Sequence, residues 1–205
     1  AFGPRALCSL PMSQAALPLK MTYAEYLAFE ERSDVKHEFH DGDVYEALSM
    51  SGGTLEHARL ASAFGRELGV ALAGRPCAVF SADGRIRVAE GRFSGYPDLS
   101  VVCGHIERAV DDPQGLANPV VIAEILSDST EAFDRGDKFR RYRRLASLRE
   151  YVLVSQREPY IEVHRRNDAG EWVLHEAAAG QKLALMSLDV ALDVDAIYRD
   201  PFAAT

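Results

Sequence analysis

The spacing of apolar residues changes several times along this chain, and each change marks a predicted element. In TYAEYLAFEE, Tyr23, Tyr26 and Leu27 recur at helical spacing behind the capping residue Thr22, which predicts a short first helix. KHEFHDGDVYEALSMSGG then carries a hairpin-type turn signal at Asp41-Gly42, and Val44 and Tyr45 lead as a strand into a Gly52-Gly53 break. Between residues 54 and 73, His57, Ala61, Phe64, Leu68 and Ala71 form one stripe, the clearest helix of the sequence, and Gly74 ends it. CAVFSAD and RIRVAE, separated by Asp83-Gly84, read as a strand pair; PDLSVVC and VVIAEIL read as strands on either side of a loop through DDPQGLANP. A basic helix follows at about 134–146 with Phe139, Tyr142 and Leu145 facing a core. EYVLVSQ, YIEVHRR and EWVLHEA alternate as antiparallel strands do, with turn chemistry at Asn167 to Gly170, and VALDVDAIYRD closes with a short helix.

Helix, strand, long helix, strands, helix, strands is the order of an α/β or α+β fold, a mixed central sheet flanked by helices. No internal repeat is visible, and residues 21–205 read as one domain. Residues 1–20, rich in Ala, Pro and Ser without a period, are set apart as a disordered or vector-derived segment in which Met12 is a candidate start.

With 205 residues, 47% hydrophobic and 26% charged, the chain can bury one good core. No apolar run approaches the roughly 18 residues of a membrane span, and the opening lacks a signal-peptide pattern, so a cytoplasmic address is expected. Cys8, Cys77 and Cys103 are far apart and odd in number, and read as reduced thiols rather than a disulfide framework or zinc knuckle. The net charge of −8 argues against a protein that coats nucleic acid through a broad basic surface. Positive charge is local: DRGDKFRRYRRLASLRE holds seven of the 23 Lys and Arg residues, which by themselves read as a solvated helix face paired with nearby acids.

Two carboxylates carry the candidate chemistry. Asp98 opens an apolar strand directly after Pro97, and Glu124 stands inside the most apolar stretch, with Val120, Val121, Ile122, Ala123, Ile125 and Leu126 around it. An ionised carboxylate in such a place costs several kcal/mol unless a cation or donors meet it. Asp98 as a turn cap and Glu124 as the partner of an arginine on the basic helix are the plainer readings. If the two strands are neighbours, the pair can instead converge on one divalent ion, and oxygen donors favour Mg²⁺ or Mn²⁺ over zinc. That is the chemistry of metal-assisted phosphodiester hydrolysis.

Pro97-Asp98 followed by Glu124-Ile125-Leu126 resembles the core motif of the PD-(D/E)XK nuclease superfamily, with its restriction-endonuclease-like fold. More closely, the order SGGTLEHARLASAF, CAVFSADGRIRV, YPDLSVVCG, NPVVIAEILSDSTEAFDRGDKFRRYRRLASLREYVLVSQ, YIEVHRR is similar to the Uma-two family of restriction-endonuclease-like proteins over roughly residues 21–202. The resemblance implies a Mg²⁺ site with Asp98, Glu124 and Ile125 at the metal, and nucleic acid, DNA foremost, as substrate. It departs at Leu126, where the superfamily pattern has lysine, and implies that Lys138 on the following helix takes over. Glu38 matches an early acidic residue of the family that can complete the site, although the bare sequence reads it as a surface acid, and His57 aligns near the site. His37 and His40 are too closely spaced for the zinc pattern H-E-x-x-H, Ser127 to Thr130 read as a helix cap, and Asp134 and Asp137 as first-turn acids complementing the helix dipole. Three functions compete: a Mg²⁺-dependent endonuclease; a nuclease-fold module that binds nucleic acid or a protein without cutting; and a metal-free carboxylate-pair hydrolase acting, for example, on a glycoside. An edge strand among residues 150–176 offers a route to a homodimer.

Overall fold

A computed structural model of the chain describes residues 20–47, 54–90 and 92–202, so the Gly52-Gly53 break and nearly all of the N-terminal segment lie outside the described residues. Thr22 and Glu25 form a reciprocal capping box that starts α1 (Tyr23–Glu30). The chain turns back through β1 (His37–His40) and β2 (Asp43–Glu46) on Asp41 and Gly42, whose φ values of 54° and 100° suit the two-residue hairpin turn expected of Asp-Gly. Then come α2 (Leu55–Ala71), β3 (Cys77–Ser81), β4 (Ile86–Val88), β5 (Phe93–Gly95), β6 (Leu99–Cys103), β7 (Arg108–Ala109), β8 (Asp112–Leu116) and β9 (Val121–Ile125). A helical segment follows as α3 (Glu131–Phe133), a π turn (Asp134–Lys138) and α4 (Phe139–Tyr142); β10 (Glu150–Val154), β11 (Tyr160–Arg166), β12 (Trp172–Ala178), β13 (Lys182–Leu185), β14 (Val190–Asp193) and α5 (Val194–Tyr198) complete the order.

Two six-stranded sheets form, ordered β2-β1-β5-β4-β8-β7 and β12-β11-β10-β9-β6-β3, with β13-β14 as a separate pair. The second is the mixed central sheet the sequence predicts: β9 and β10 run parallel, its other neighbours antiparallel. Its strands alternate between two apolar environments. Val121, Ala123 and Ile125 face Leu60, Phe64 and Leu68 of α2 and Ile197 of α5, whereas Ile122 and Leu153 face Tyr142, Leu148 and, across from the first sheet, Ile86 and Phe93. The first sheet turns its other face to α1, where Phe39 and Val44 pack on Tyr26. Fully buried Leu60, Phe64 and Leu68 each contribute roughly 1.5–3 kcal/mol by leaving water, which fixes α2 on the sheet.

Three expectations are corrected. CAVFS and RIRV are not paired: β3 joins the second sheet and β4 the first. Gly84 does not take the positive φ of a hairpin Asp-Gly; its N–H closes a tight turn on Ser81 O (2.9 Å) and sends the chain from one sheet to the other. The expected loop DDPQGLANP contains β8, whose apolar period is hidden by Pro113 and Gly115. Gly115 is required there, because a Cβ would lie 2.5 Å from Asp112 Oδ2. Lastly, Cys77 and Cys103 are not free thiols but a disulfide. They are direct partners in the β3–β6 register, flanked by the Gly104 N–H to Pro76 O bond, and such a non-hydrogen-bonded pair brings opposing side chains closest.

The bond closes a separation of 26 residues. Peptide mapping under non-reducing conditions is therefore expected to recover a Cys77–Cys103 cross-link, and its reduction is expected to lower unfolding stability by about 2–4 kcal/mol in denaturant titrations.

Candidate active site

Residue 98 is placed by strand register. Leu99 pairs with Ala123 in the antiparallel β6–β9 ladder, so one residue further Asp98 stands opposite Glu124, and opposing residues point to the same face. The Asp98 N–H donates to Glu124 Oε2 (3.3 Å), and Asp98 Oδ2 accepts from the Ile125 N–H (2.7 Å) and lies 3.1 Å from His57 Nε2. Both acids are out of solvent, Asp98 6% and Glu124 1% exposed. Among the described residues neither is paired with an arginine.

The cation is Lys138. Its ammonium lies 2.8 Å from Glu124 Oε1, 3.4 Å from Asp134 Oδ1 and 3.8 Å from Glu38 Oε1, and is itself buried. Lys138 reaches this place because the helix is irregular there. The Tyr151 hydroxyl donates to Asp134 O (2.9 Å), and Asp134–Lys138 form a π turn in place of regular α-helix. Leu126, two residues after Glu124, is buried in the apolar core.

Glu38 enters from β1, whose four residues are all buried. Its Oε2 lies 3.1 Å from His40 Nε2, while His37, on the opposite face of the strand, bonds to Glu30. Gly95 is obligatory beside it: a Cβ would come within 2.6 Å of the Phe93 ring and 3.1 Å of Glu38 Oε1. Asp134 corrects an expectation. It is not a solvated first-turn acid; it is 3% exposed and faces Lys138, whereas Asp137 does sit outside, holding Arg140 and Arg141. The i, i+4 spacing of Asp134 and Lys138 was the available signal.

Residues 23–195 match the Uma2 family, described as "Putative restriction endonuclease". The chain belongs to this family. It is 36% identical over 184 residues to "Uncharacterized protein slr1290" of Synechocystis sp. (strain ATCC 27184 / PCC 6803 / Kazusa), covering 88% of this chain and 92% of that one. It is 32% identical over 156 residues to "Uncharacterized protein sll1609" of the same organism, covering 76% and 86%. The fold is similar to that of a crystal structure of "a putative nuclease belonging to DUF820 from Anabaena variabilis ATCC 29413", with a TM-score of 0.69 at 14% identity over 87% of this chain and 98% of the other.

Electrostatically the family member's site is rich in negative charge: Glu38, Glu124 and Asp134 surround one lysine, and Asp98 lies against Glu124 and His57, with His40 beside Glu38. Burial, with Asp134 and Asp98 nearby, pushes the Glu124 carboxyl well above the usual range despite Lys138. Burial also raises Asp134. For Glu38 burial acts upward too, but Lys138, His40 and the Tyr96 backbone N–H outweigh it and hold the carboxyl low. Burial works against the Lys138 charge and is overcome by Glu124, Asp134 and Glu38, so the ammonium stays protonated. Its hydrogen bond to Asp98 raises His57.

Buried carboxylates elsewhere in the molecule are fully matched. Glu150 meets Arg165 (2.7 Å), the Met186 and Ser187 N–H groups and the Ser187 hydroxyl, and Asp112 takes a two-point contact from Arg85 plus the Tyr23 hydroxyl. Glu124 is met more sparsely: the Lys138 ammonium lies 2.8 Å from Oε1 and the Asp98 N–H 3.3 Å from Oε2.

Removing the cation leaves three acids facing one another. Lys138→Met is expected to lose about 3–5 kcal/mol of stability near neutral pH. The penalty belongs to the ionised carboxylates, so it is expected to shrink as pH falls and they protonate; urea titrations across pH check both size and sign.

Proposed function

We propose that this Uma2 protein is a Mg²⁺-dependent endonuclease hydrolysing phosphodiester bonds of nucleic acid, with Mn²⁺ able to replace Mg²⁺. The observation that carries the reading is the convergence of Asp98, Glu124 and Lys138 in one buried cluster. The family description "Putative restriction endonuclease" points to DNA as the substrate.

The residues fit a hard divalent ion. Mg²⁺ is usually held by one or two carboxylates and completed by water and substrate phosphate oxygens, and Asp98 and Glu124 are two such carboxylates side by side. Asp98, Glu124 and the Ile125 carbonyl would supply oxygen donors only, the kind of ligand a hard ion takes. When bound, the ion would polarise a phosphoryl oxygen and lower the pKa of a water. His57 and the Ile125 N–H fix Asp98 Oδ2, leaving the other oxygen to a ligand. The Lys138 ammonium, kept charged and in place by Glu38 and Asp134, would orient the attacking water and stabilise charge developing on the phosphoryl oxygens. Water adds to phosphorus, the bond to one ester oxygen breaks, and the products are a phosphate monoester and a hydroxyl end.

Incubation with plasmid, single-stranded DNA and RNA in Mg²⁺, Mn²⁺ or EDTA tests this. Cutting is expected with either metal, none with EDTA, and a fall of about 10²–10³-fold in both Glu124→Gln and Lys138→Ala. Binding without cutting, indifferent to EDTA, would instead identify a nuclease-fold binding module.

A further inference from the structure

The arginines divide into two sets. Among the described residues, Arg135 is engaged by Glu131 and Glu162, and Arg140 and Arg141 by Asp137. Arg143, Arg144, Arg149 and, on β11, Arg166 have no carboxylate partner; Arg144 and Arg166 reach only the backbone carbonyls of Glu90 and Leu145. The expectation of a solvated basic face paired with acids therefore holds for the first turns of the helix and fails after them.

Arg143, Arg149 and Arg166 lie together, whereas Arg144 turns to the Glu90 carbonyl after β4. The Arg166 N–H donates to Arg149 O (2.8 Å), and Arg166 Nη1 reaches Leu145 O (3.5 Å). Arg143 lies 6.0 Å from the Phe139 ring centre and Arg166 5.9 Å from that of Trp172, and these two rings meet edge to face at 5.2 Å. His164 stacks on Phe139 (4.6 Å), and its cross-strand partner Leu174 is 47% exposed. The arrangement exists because the helical segment covers β10, where Phe139 stacks on Tyr151, but leaves the outer strands β11 and β12 partly open. At the far end of the same face Glu162 and Glu176, held by Arg135 and the Tyr160 hydroxyl, mark its limit.

We infer that this arginine-framed aromatic surface binds a single-stranded segment of nucleic acid, stacking an unpaired base on Trp172 while Arg143, Arg149 and Arg166 take the phosphates. Guanidinium groups left without carboxylates, in a chain of net charge −8, are complementary to a phosphodiester backbone. Aromatic faces among them add stacking that every base can supply. Within a duplex those base faces are covered, so the surface favours unpaired nucleotides. Lys138 and Phe139 are consecutive: one enters the acid cluster, the other forms the floor of this surface. The inference rests on nucleic acid being the substrate class of that cluster, and it deepens that reading by naming the form of the strand.

Trp172 is the single tryptophan of the chain, so its emission reports the contact directly. The probes are short oligo-dT, oligo-rU and a duplex of equal length, titrated in EDTA so that no cleavage intervenes. Oligo-dT or oligo-rU is expected to quench Trp172, the duplex to bind roughly tenfold or more weakly, and Arg143→Ala/Arg166→Ala to weaken labelled oligo-dT binding by anisotropy about tenfold and flatten its salt dependence. Trp172→Ala is expected to weaken anisotropy-detected binding by a similar factor, and Trp172→Phe to retain most of it. Unchanged emission with all three probes, equal quenching by the duplex, or unaltered binding by a folded double variant overturns the inference. Cleavage in Mg²⁺ without this binding sinks the inference alone, whereas oligo-dT quenching without cleavage sinks the nuclease reading and leaves the surface standing.

Discussion

One buried ammonium holds this site together. Lys138 stands among Glu38, Glu124 and Asp134, and each contact draws on a different part of the fold: β1 of the first sheet, β9 of the second, and the π turn that carries the lysine itself. Burial alone would discharge the lysine and protonate the acids, so the charged arrangement persists only while all are packed at once. The local irregularities follow from that constraint. Tyr151 bonds the π turn at Asp134, Gly95 leaves room for the Glu38 carboxyl, and the β6–β9 register sets Asp98 against Glu124.

One lysine does not balance four acids. Where the molecule buries Glu150 or Asp112 for architecture, it surrounds them with arginine and donors, as stability requires. Glu124 has only the Lys138 ammonium and the Asp98 N–H, and burial with Asp134 and Asp98 close by drives its carboxyl well above its usual range. Groups perturbed in this way mark places built for a ligand or a reaction more often than for stability alone. In the proposed reading, a divalent ion supplies the charge that the protein withholds.

Much of the fold was legible because period and turn chemistry agreed. The α2 stripe, the Asp41-Gly42 hairpin and the β10–β11–β12 meander appear where the sequence places them. Errors came where a local signal had a long-range use: Asp83-Gly84 looks like a hairpin but passes the chain between sheets, and the Cys77–Cys103 bond depends on a register that no spacing along the chain reveals. At the site, Asp98 and Glu124 announced themselves by their apolar neighbours, and Lys138 entered through the family resemblance. Asp134 did not, because an acid in a first helical turn has an ordinary explanation in the helix dipole and only tertiary packing turns it inward. The same helix splits its arginines in a way composition cannot show, pairing those near Asp137 and leaving those near Trp172 unpaired.

The central claim is that the acid cluster accepts one divalent cation, and counting that ion is its most direct test. Electron paramagnetic resonance of Mn²⁺ titrated into the protein, with no nucleic acid present, is expected to give one bound ion per chain, displaced by Mg²⁺ and lost in both Asp98→Asn and Glu124→Gln. Binding that is absent up to millimolar Mn²⁺, or that survives both substitutions unchanged, would contradict the account.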